Sequence, residues 1–288
     1  MICESCRHIF FSGLQNINQA DLVIYYKKTY TESHNQREIQ EEAKEYYKSH
    51  LKELVDYITI DAQIRIICYG CSYPFFLIEA KNEGCDAIGI EYDDDCINFG
   101  TANGVTMISP DNYANIIPDE SADIIRFSHV LEHTIDPVQT LFHVSKKLKR
   151  GGIVYITQPN FPVYKSGEGR KLKDSVYPEH LHYFNMLSLT KMIEGVDLLD
   201  VVKLFSHTNA KLVYEEDSKL IDFDKACLLK KYEKVGDNLF GEEANYPNYA
   251  GENSYLICRK CGSSNNVKNE KSGDDQYYKY KEKIGQLK

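Results

Sequence analysis

Between residues 64 and 157, short apolar runs alternate with segments of helical character, and this alternation constrains the fold more than any other feature. The runs are rich in Ile and other β-branched residues, which is typical of strands buried on both faces. The intervening segments end close to a glycine, as helices commonly do. Alternation of strand and helix indicates βαβ units. The chain is therefore predicted to form an α/β fold with a doubly wound, mostly parallel sheet.

Turn residues and apolar spacing set the expected boundaries of these elements. The predicted strands are Ile64–Tyr69, Ala87–Ile90, Val105–Ile108, Ala122–Phe127, Ile153–Thr157 and Leu198–Phe205. The predicted helices are 36–58, Phe75–Asn82, Asp94–Ala102, Pro137–Lys149 and Leu187–Gly195. We divide the chain into four parts on this basis. They are a Cys-containing segment 1–35, an α/β domain 36–206, a pocket-closing region 207–262 and a mobile polar tail 263–288.

Composition and charge narrow the class of partner. The chain has 288 residues and a formal net charge of −9, with lysines scattered among acidic residues. Such a chain repels phosphate backbones, so we expect a small-molecule substrate and no nucleic-acid partner. No apolar run approaches the roughly 20 residues that span a bilayer, so no membrane partner is expected. The N-terminus has no signal-peptide pattern, and nine cysteines then suggest a reducing, cytoplasmic location.

Residues after the predicted strands are the expected ligand contacts, because open α/β sheets bind ligands beyond the carboxyl ends of their strands. The first such turn is YGCSYP, in which only Gly70 of a G-x-G-x-x-G pattern is present. An NAD-dependent oxidoreductase is therefore disfavoured. Glu91 ends the second predicted strand, 21 residues after Gly70, where a carboxylate can accept hydrogen bonds from ribose hydroxyls. The alternative is that Glu91 is only a solvated acid before the run YDDD.

Three longer segments carry a family resemblance. They are IRIICYGCSYPFFLIEAKNEGCDAIGIE (64–91), ADIIRFSHVLEHTIDPVQTLFHVSKKLKRGGIVYITQPN (122–160) and EHLHYFNMLSLTKMIEGV (179–196). The chain resembles the class I S-adenosylmethionine-dependent methyltransferases over about residues 36–205, which implies their Rossmann-like fold. It departs from the family at Cys68, where an acidic residue is usual, and at Ser72 and Pro74, where glycines are usual. These changes make the first turn bulkier and stiffer.

The resemblance implies S-adenosylmethionine as cofactor and gives each strand end a role. Tyr69, Gly70 and Cys71 would line the methionine end of the cofactor. Glu91 would bind the ribose, Tyr92, Asp111 and Asn112 would lie by the adenine, and Ser128 and His129 would lie near the sulfonium. The residues that would face the acceptor are Glu132, His133, Asn160, His180, His182 and Tyr183.

An oxygen or nitrogen acceptor loses a proton when it is methylated, and a histidine with a pKa near neutrality suits that task. The candidate catalytic residues are His129, His133, His180 and His182. Each of them could instead be a structural histidine, and the sequence does not choose a base among them.

Two C-x₂-C pairs suggest a metal site. Cys3 with Cys6, and Cys258 with Cys261, together offer the four thiolates of a structural zinc site. The resemblance supports this, because some relatives carry a zinc module before the methyltransferase fold. Independent reduced thiols, or zinc held between two chains, are the alternatives. A third pair, Cys68 and Cys71, has redox spacing but lies against a buried strand, which disfavours redox activity.

The sequence alone leaves two functions open. The first is an enzyme that transfers a methyl group to a small acceptor, a sugar or sugar-derived metabolite, at oxygen or nitrogen. The second is a non-catalytic binding or scaffold protein that retains the fold and the zinc site. The sequence does not indicate the oligomeric state.

Overall fold

The computed structural model describes residues 8–11, 13–27, 44–58, 60, 63–161, 179–196, 198–208, 211–217 and 253–261. Its strands are β1 (Ile9–Phe10), β2 (Arg65–Tyr69), β3 (Asp86–Ile90), β4 (Thr106–Ile108), β5 (Ala122–Ser128), β6 (Leu148–Pro159), β7 (His182–Tyr183), β8 (Leu199–Thr208), β9 (Lys211–Asp217) and β10 (Asn253–Lys260). Its α-helices are α1 (Gln19–Tyr25), α2 (Lys44–Leu54), α3 (Phe75–Asn82), α4 (Asp94–Ala102), α5 (Tyr113–Ile116), α6 (Pro137–Ser145) and α7 (Met186–Glu194). Within these ranges, no helix combines the length and apolarity needed to cross a bilayer.

Eight strands form one sheet in the order β4-β3-β2-β5-β6-β10-β8-β9. Strands β2 to β6 in this sheet pair in parallel, whereas β10 runs antiparallel to both of its neighbours. The chain moves outward from β2 to β4 on one side and from β5 to β6 on the other. This reversal between β2 and β5 is the place where a doubly wound sheet opens a ligand crevice. The predicted fold class is confirmed.

The two faces of the sheet are buried in separate cores. Ile67 and Ile125 face one cluster together with α6 and α7, whereas Ile66 and Ile124 face the other with α2 and α3. Successive strand residues point to opposite faces, so a strand covered on both sides needs an unbroken apolar run. This is the physical origin of the runs seen in the sequence.

Within the described residues, the predicted elements agree with the structure to within a few residues, with one informative difference. Residues 36–43 of the predicted helix 36–58 lie outside the described residues. The predicted helix from Pro137 to Lys149 ends at Ser145, and the next strand begins at Leu148 rather than Ile153. Ala122 pairs with Leu148 and Ile124 with Ile153, so the intervening residues bulge out of the strand. Gly151 has a φ of 75°, which a glycine adopts without strain. The Gly-Gly pair therefore marks a bulge within the strand, not the end of a helix.

Residues 253–260 were predicted to form part of a closing region with a cysteine knuckle, but they are the strand β10 inside the main sheet. Tyr255 and Ile257 face one core, and Leu256 and Cys258 face the other. The extended backbone of β10 places Cys258 in the core, with none of its surface exposed.

The thiol of Cys261, just beyond β10, donates to Asp200 Oδ2 at 3.0 Å. Cys3 and Cys6 lie outside the described residues. The zinc site therefore stays a prediction, although Cys258 would have to leave the core to take part in it.

Candidate functional site

A cavity of about 750 Å³ opens at the carboxyl ends of β2 and β5. Its floor comes from the turn after β2, and one wall comes from the segment after β5. A second wall comes from α1 and the residues just after it, among them Leu22 and Tyr26. The hydroxyl of Tyr26 donates to the backbone carbonyl of Glu179 at 3.3 Å, which ties this N-terminal wall to the segment before β7. The sequence assigned residues 1–35 to a metal module and did not reveal this role.

Glu91 is held at the cavity edge by backbone amides. Its carboxylate accepts hydrogen bonds from the amides of Ser72 at 2.7 Å, Tyr92 at 2.7 Å and Asp93 at 3.2 Å. Burial raises the pKa of Glu91 above its usual value, although these three amides oppose the shift. The carboxylate is therefore oriented by main-chain donors, and its remaining lone pairs can accept hydrogen bonds from a ligand.

The turn after β2 keeps a left-handed backbone despite its unusual residues. Gly70 has a φ of 63° and Ser72 a φ of 49°. A Cβ at Gly70 would lie 2.7 Å from Val130 Cγ2, so a glycine is required there. Ser72 accepts a conformation that L residues rarely adopt, and in that conformation its amide points at Glu91. The departure from glycine at this position therefore strains the turn without removing the contact.

Most of the predicted cofactor-binding residues meet in the cavity. The lining includes Tyr69, Gly70, Cys71, Glu91, Tyr92, Ser128 and His129. Asp111 and Asn112 are exposed at the start of α5 and do not line the cavity, whereas the neighbouring Pro110 does. Pro110 thus lines the wall, and Asp111 lies outside the lining but interacts with the Tyr92 side chain, so its place by the adenine stays a prediction.

Cys68 and Cys71 do not have the chemistry of a redox pair. Burial raises the pKa of Cys68 to about 11 and raises that of Cys71 well above its usual value. Both side chains are therefore thiols at neutral pH, whereas a redox-active pair needs a readily formed thiolate.

His129 follows β5 in a left-handed conformation, with a φ of 54°. Its amide donates to the carbonyl of Thr157 at 2.8 Å, which fixes the backbone in this conformation. Its ring Nδ1 lies 3.6 Å from Glu132 Oε1. Desolvation, followed by the nearby charge of Arg126, lowers the pKa of His129, so its imidazole is neutral at physiological pH.

Glu132 is a buried carboxyl at the cavity wall, with 1% of its surface exposed. Neither of its oxygens accepts a hydrogen bond from another side chain or amide among the described residues. Burial raises the pKa of Glu132 to about 8. A carboxyl in this state costs free energy in the folded protein, which favours a role in binding or chemistry over a structural one.

His133 and His180 lie beside Glu132 and face each other with ring centroids 4.8 Å apart. Nδ1 of His133 lies 2.9 Å from the carbonyl oxygen of Glu179. Desolvation lowers the pKa of His133, and it lowers the pKa of His180 to about 3 with help from His133 and His129. Two of the four predicted catalytic histidines thus form a neutral pair on the same wall as His129.

His182, the fourth candidate, does not line this cavity. It lies in β7, where its Nδ1 is 3.0 Å from Nε2 of His8, and its Nε2 is 3.3 Å from the carbonyl oxygen of Ile135. The first contact joins β7 to the residue before β1, and the second joins it to the segment before α6, so His182 has the surroundings of a structural histidine. Asn160 and Tyr183 also lie off the main cavity wall.

Arg126 is a cavity residue that the sequence analysis missed. Only 5% of its surface is exposed, and its guanidinium stacks 4.6 Å from the ring centroid of Phe76. Its Nη2 donates to Ser128 Oγ at 2.9 Å, while its Nε has no hydrogen-bond partner within the described part of the chain. One signal was present: a cation inside the short apolar run Ile124–Phe127 of β5.

The comparisons with known proteins agree with this fold. A family model described as a methyltransferase domain matches residues 39–203. A probable S-adenosylmethionine-dependent methyltransferase of Mycolicibacterium smegmatis is 27% identical over 122 residues. That match covers 41% of this chain and 46% of the relative, so the two chains align over less than half of either length.

Two solved structures share the fold. An S-adenosylmethionine-dependent methyltransferase from Archaeoglobus fulgidus has a TM-score of 0.51 and 21% identity, covering 75% of this chain and 94% of its own. Phosphoethanolamine N-methyltransferase 2 of Haemonchus contortus, solved with S-adenosyl-L-methionine, has a TM-score of 0.55 and 14% identity. That likeness covers 84% of this chain and 60% of the nematode chain. At these identities the likeness concerns the fold.

Proposed function

The chain belongs to the methyltransferase-domain family, and on that basis we propose that it transfers a methyl group from S-adenosylmethionine to a small acceptor. One observation carries the proposal: Glu91, fixed by three amides, stands beside the left-handed turn at Gly70, at the switch point of the sheet. A carboxylate there can accept hydrogen bonds from both ribose hydroxyls of an adenosine cofactor.

The chemistry requires little from the protein at the donor. The methyl group moves from a sulfonium to the acceptor by in-line displacement, and the leaving group is a neutral sulfide. Positioning of the two reactants therefore contributes most of the rate enhancement. The cavity would hold the nucleoside end at Glu91 and Tyr92 and the methionine end between the turn at Gly70 and Arg126.

The opposite end of the cavity suits an acceptor that must lose a proton. Burial lowers the pKa of His129, His133 and His180, so each is a neutral imidazole that can accept a hydrogen bond from an acceptor hydroxyl or amine. Each is also a weaker base than a histidine with a pKa near neutrality. The neutral imidazoles on this wall favour methylation of an oxygen or a nitrogen. A sugar-derived acceptor and a cytoplasmic location remain predictions from the sequence.

Calorimetric titration with S-adenosylhomocysteine tests the cofactor site. We expect micromolar binding in the wild type and a loss of at least about 100-fold in Glu91→Ala, because charge-assisted hydrogen bonds contribute about 1.5–3 kcal/mol each. Asp95→Ala is the matched control, since Asp95 is an exposed acid on the adjacent helix α4. Equal binding in the wild type and Glu91→Ala would contradict the placement of the ribose.

The scaffold alternative makes a different prediction. A non-catalytic protein would show binding of the cofactor, or none, with no methyl transfer to any member of a panel of hydroxyl- and amine-bearing small molecules. Turnover with one acceptor, abolished by Glu91→Ala, would exclude it.

We retain the structural zinc site at Cys3, Cys6, Cys258 and Cys261 as a proposal with its own test. The expected result is that Cys3→Ser and Cys258→Ser each bind about one zinc per chain fewer than the wild type. Because Cys258 lies in the core, Cys261→Ser is the cleaner variant. Folded protein without bound zinc would remove the proposal.

A further inference from the structure

The cluster of Glu132, His133 and His180 has a geometry that methyl transfer alone does not require. One potential ligand atom from each residue lies within 4.8 Å of the other two. All three side chains line the wall of the cavity where the acceptor is expected. From this geometry we propose that the three residues bind a divalent transition-metal ion, which in turn binds a hydroxyl oxygen of the acceptor.

Glu132 supplies independent support, because it is a buried carboxyl without a partner. It is 1% exposed, and neither oxygen accepts a hydrogen bond from another residue within the described ranges. His129 Nδ1, at 3.6 Å from Oε1, is beyond hydrogen-bonding distance. A buried carboxyl is normally hydrogen-bonded, paired with a charge or bound to a metal. A cation held here would supply a partner that no other described residue supplies by hydrogen bonding.

His133 is arranged as metal-binding histidines usually are. A carbonyl oxygen can only accept, so the 2.9 Å contact with Glu179 requires a proton on Nδ1 of His133. In the neutral ring the lone pair is then on Nε2, the atom that would bind the metal. Metal-binding histidines commonly donate their other ring N–H to a carbonyl or carboxylate, which fixes the tautomer.

The donor set indicates the class of metal. Two imidazoles and one carboxylate suit Zn²⁺ and other first-row transition metals, whereas Mg²⁺ and Ca²⁺ prefer oxygen ligands. Ligands about 2.0–2.2 Å from a tetrahedral zinc lie about 3.4 Å apart. The three donor atoms would therefore have to approach one another by no more than about 1.4 Å, which side-chain rotation can supply.

A metal at this site would complete the acceptor half of the reaction, and this step rests on the proposed methyl transfer. Three protein ligands leave a coordination position open towards the cavity, as in catalytic zinc sites. The metal would lower the pKa of the acceptor hydroxyl, whose proton would pass to His129 beside Glu132. The oxygen then forms its bond to the methyl carbon while the carbon–sulfur bond breaks, releasing neutral S-adenosylhomocysteine.

Metal titration of the full chain tests the site without an activity measurement. A Cys3→Ser/Cys6→Ser background removes two of the four thiolates of the proposed structural zinc site. After chelator treatment, this protein should bind about one Zn²⁺ per chain with micromolar or tighter affinity. Glu132→Gln and His180→Gln, each in the same background, should weaken this binding at least about tenfold.

His143→Gln, a histidine on α6 away from the cavity, is the matched control and should bind zinc as the background does. Absence of zinc binding in the background protein would overturn the proposal, whether or not the other variants fold. Undiminished binding in both folded cavity variants would also overturn it. Binding of S-adenosylhomocysteine is measured on the same samples. Its absence alongside intact zinc binding would contradict the proposed cofactor, not the metal site.

Discussion

The two ends of the cavity are built differently. At the cofactor end, Glu91 is surrounded by three backbone amides, and the adjoining turn is set by backbone conformation at Gly70 and Ser72. At the acceptor end, Glu132 accepts no hydrogen bond from another described residue, and the side chains of His133 and His180 form the wall. Main-chain donors thus orient the carboxylate of Glu91 for the cofactor, whereas side chains form the part of the cavity that would contact the acceptor.

The largest expected effect comes from disturbing the backbone of the cofactor end. Gly70→Ala and Gly151→Ala both place a Cβ at positive φ, but only the first meets a neighbour, Val130 Cγ2 at 2.7 Å. Left-handed strain is common to both and costs about 1–2 kcal/mol. Overpacking adds about 1–3 kcal/mol at Gly70. Denaturant unfolding of the two variants should therefore differ by at least about 1 kcal/mol, and equal stabilities would contradict the close contact.

Substitution of Arg126 tests whether the cofactor-binding end of the cavity extends to this residue. A buried guanidinium in the cavity suits the carboxylate of the methionine moiety, so Arg126→Met should weaken S-adenosylhomocysteine binding about tenfold to 100-fold. Binding of methylthioadenosine, which has no carboxylate, should be unchanged by the same substitution. Arg65→Met, at the opposite end of the sheet, is the control. Equal losses for both ligands would assign Arg126 to packing alone.

The pH dependence of cofactor binding reports on Glu91. Only the ionised form accepts hydrogen bonds at both oxygens, and burial raises the pKa of this carboxyl. Protonation therefore begins at a higher pH than for an exposed glutamate, and affinity for S-adenosylhomocysteine should fall as the pH is lowered below neutrality. Glu91→Gln should bind weakly at every pH, with a flatter profile. A wild-type pH profile as flat as that of Glu91→Gln would show that the ionised carboxylate does not contribute to binding of S-adenosylhomocysteine.

The smallest expected effect concerns the wall formed by α1. Tyr26→Phe removes the hydrogen bond to the Glu179 carbonyl, which at 3.3 Å contributes about 0.5–1 kcal/mol. The result should be a rise in acceptor KM of a fewfold, with cofactor affinity nearly unchanged. Tyr25→Phe, one residue earlier on the same helix, should change neither quantity. A larger loss of cofactor binding in Tyr26→Phe would place this wall at the cofactor end.

Local patterns in the sequence were sufficient for the parallel half of the fold and the cofactor end. The runs that became β2 to β5, the helices α3 and α4, and the positions of Gly70 and Glu91 all follow from short-range periodicity. Burial on both faces of a parallel sheet leaves a continuous apolar signal, and a strand end places the next few residues at one edge. Most of the predicted cofactor contacts line the cavity for this reason.

Contacts between distant segments determined the antiparallel half of the sheet and the acceptor end of the cavity. The strand β10 enters the sheet between β6 and β8, although about 35 residues separate it from β9, and its short run was interpreted as a cysteine knuckle. The acceptor end joins Glu132 and His133 to His180, and α1 closes the cavity from the N-terminal segment. Periodicity reports which face of an element is buried, but not what covers it. The places of Arg126 and Glu132 in the cavity wall, and the choice between His180 and His182, therefore became clear only from the packing of distant segments.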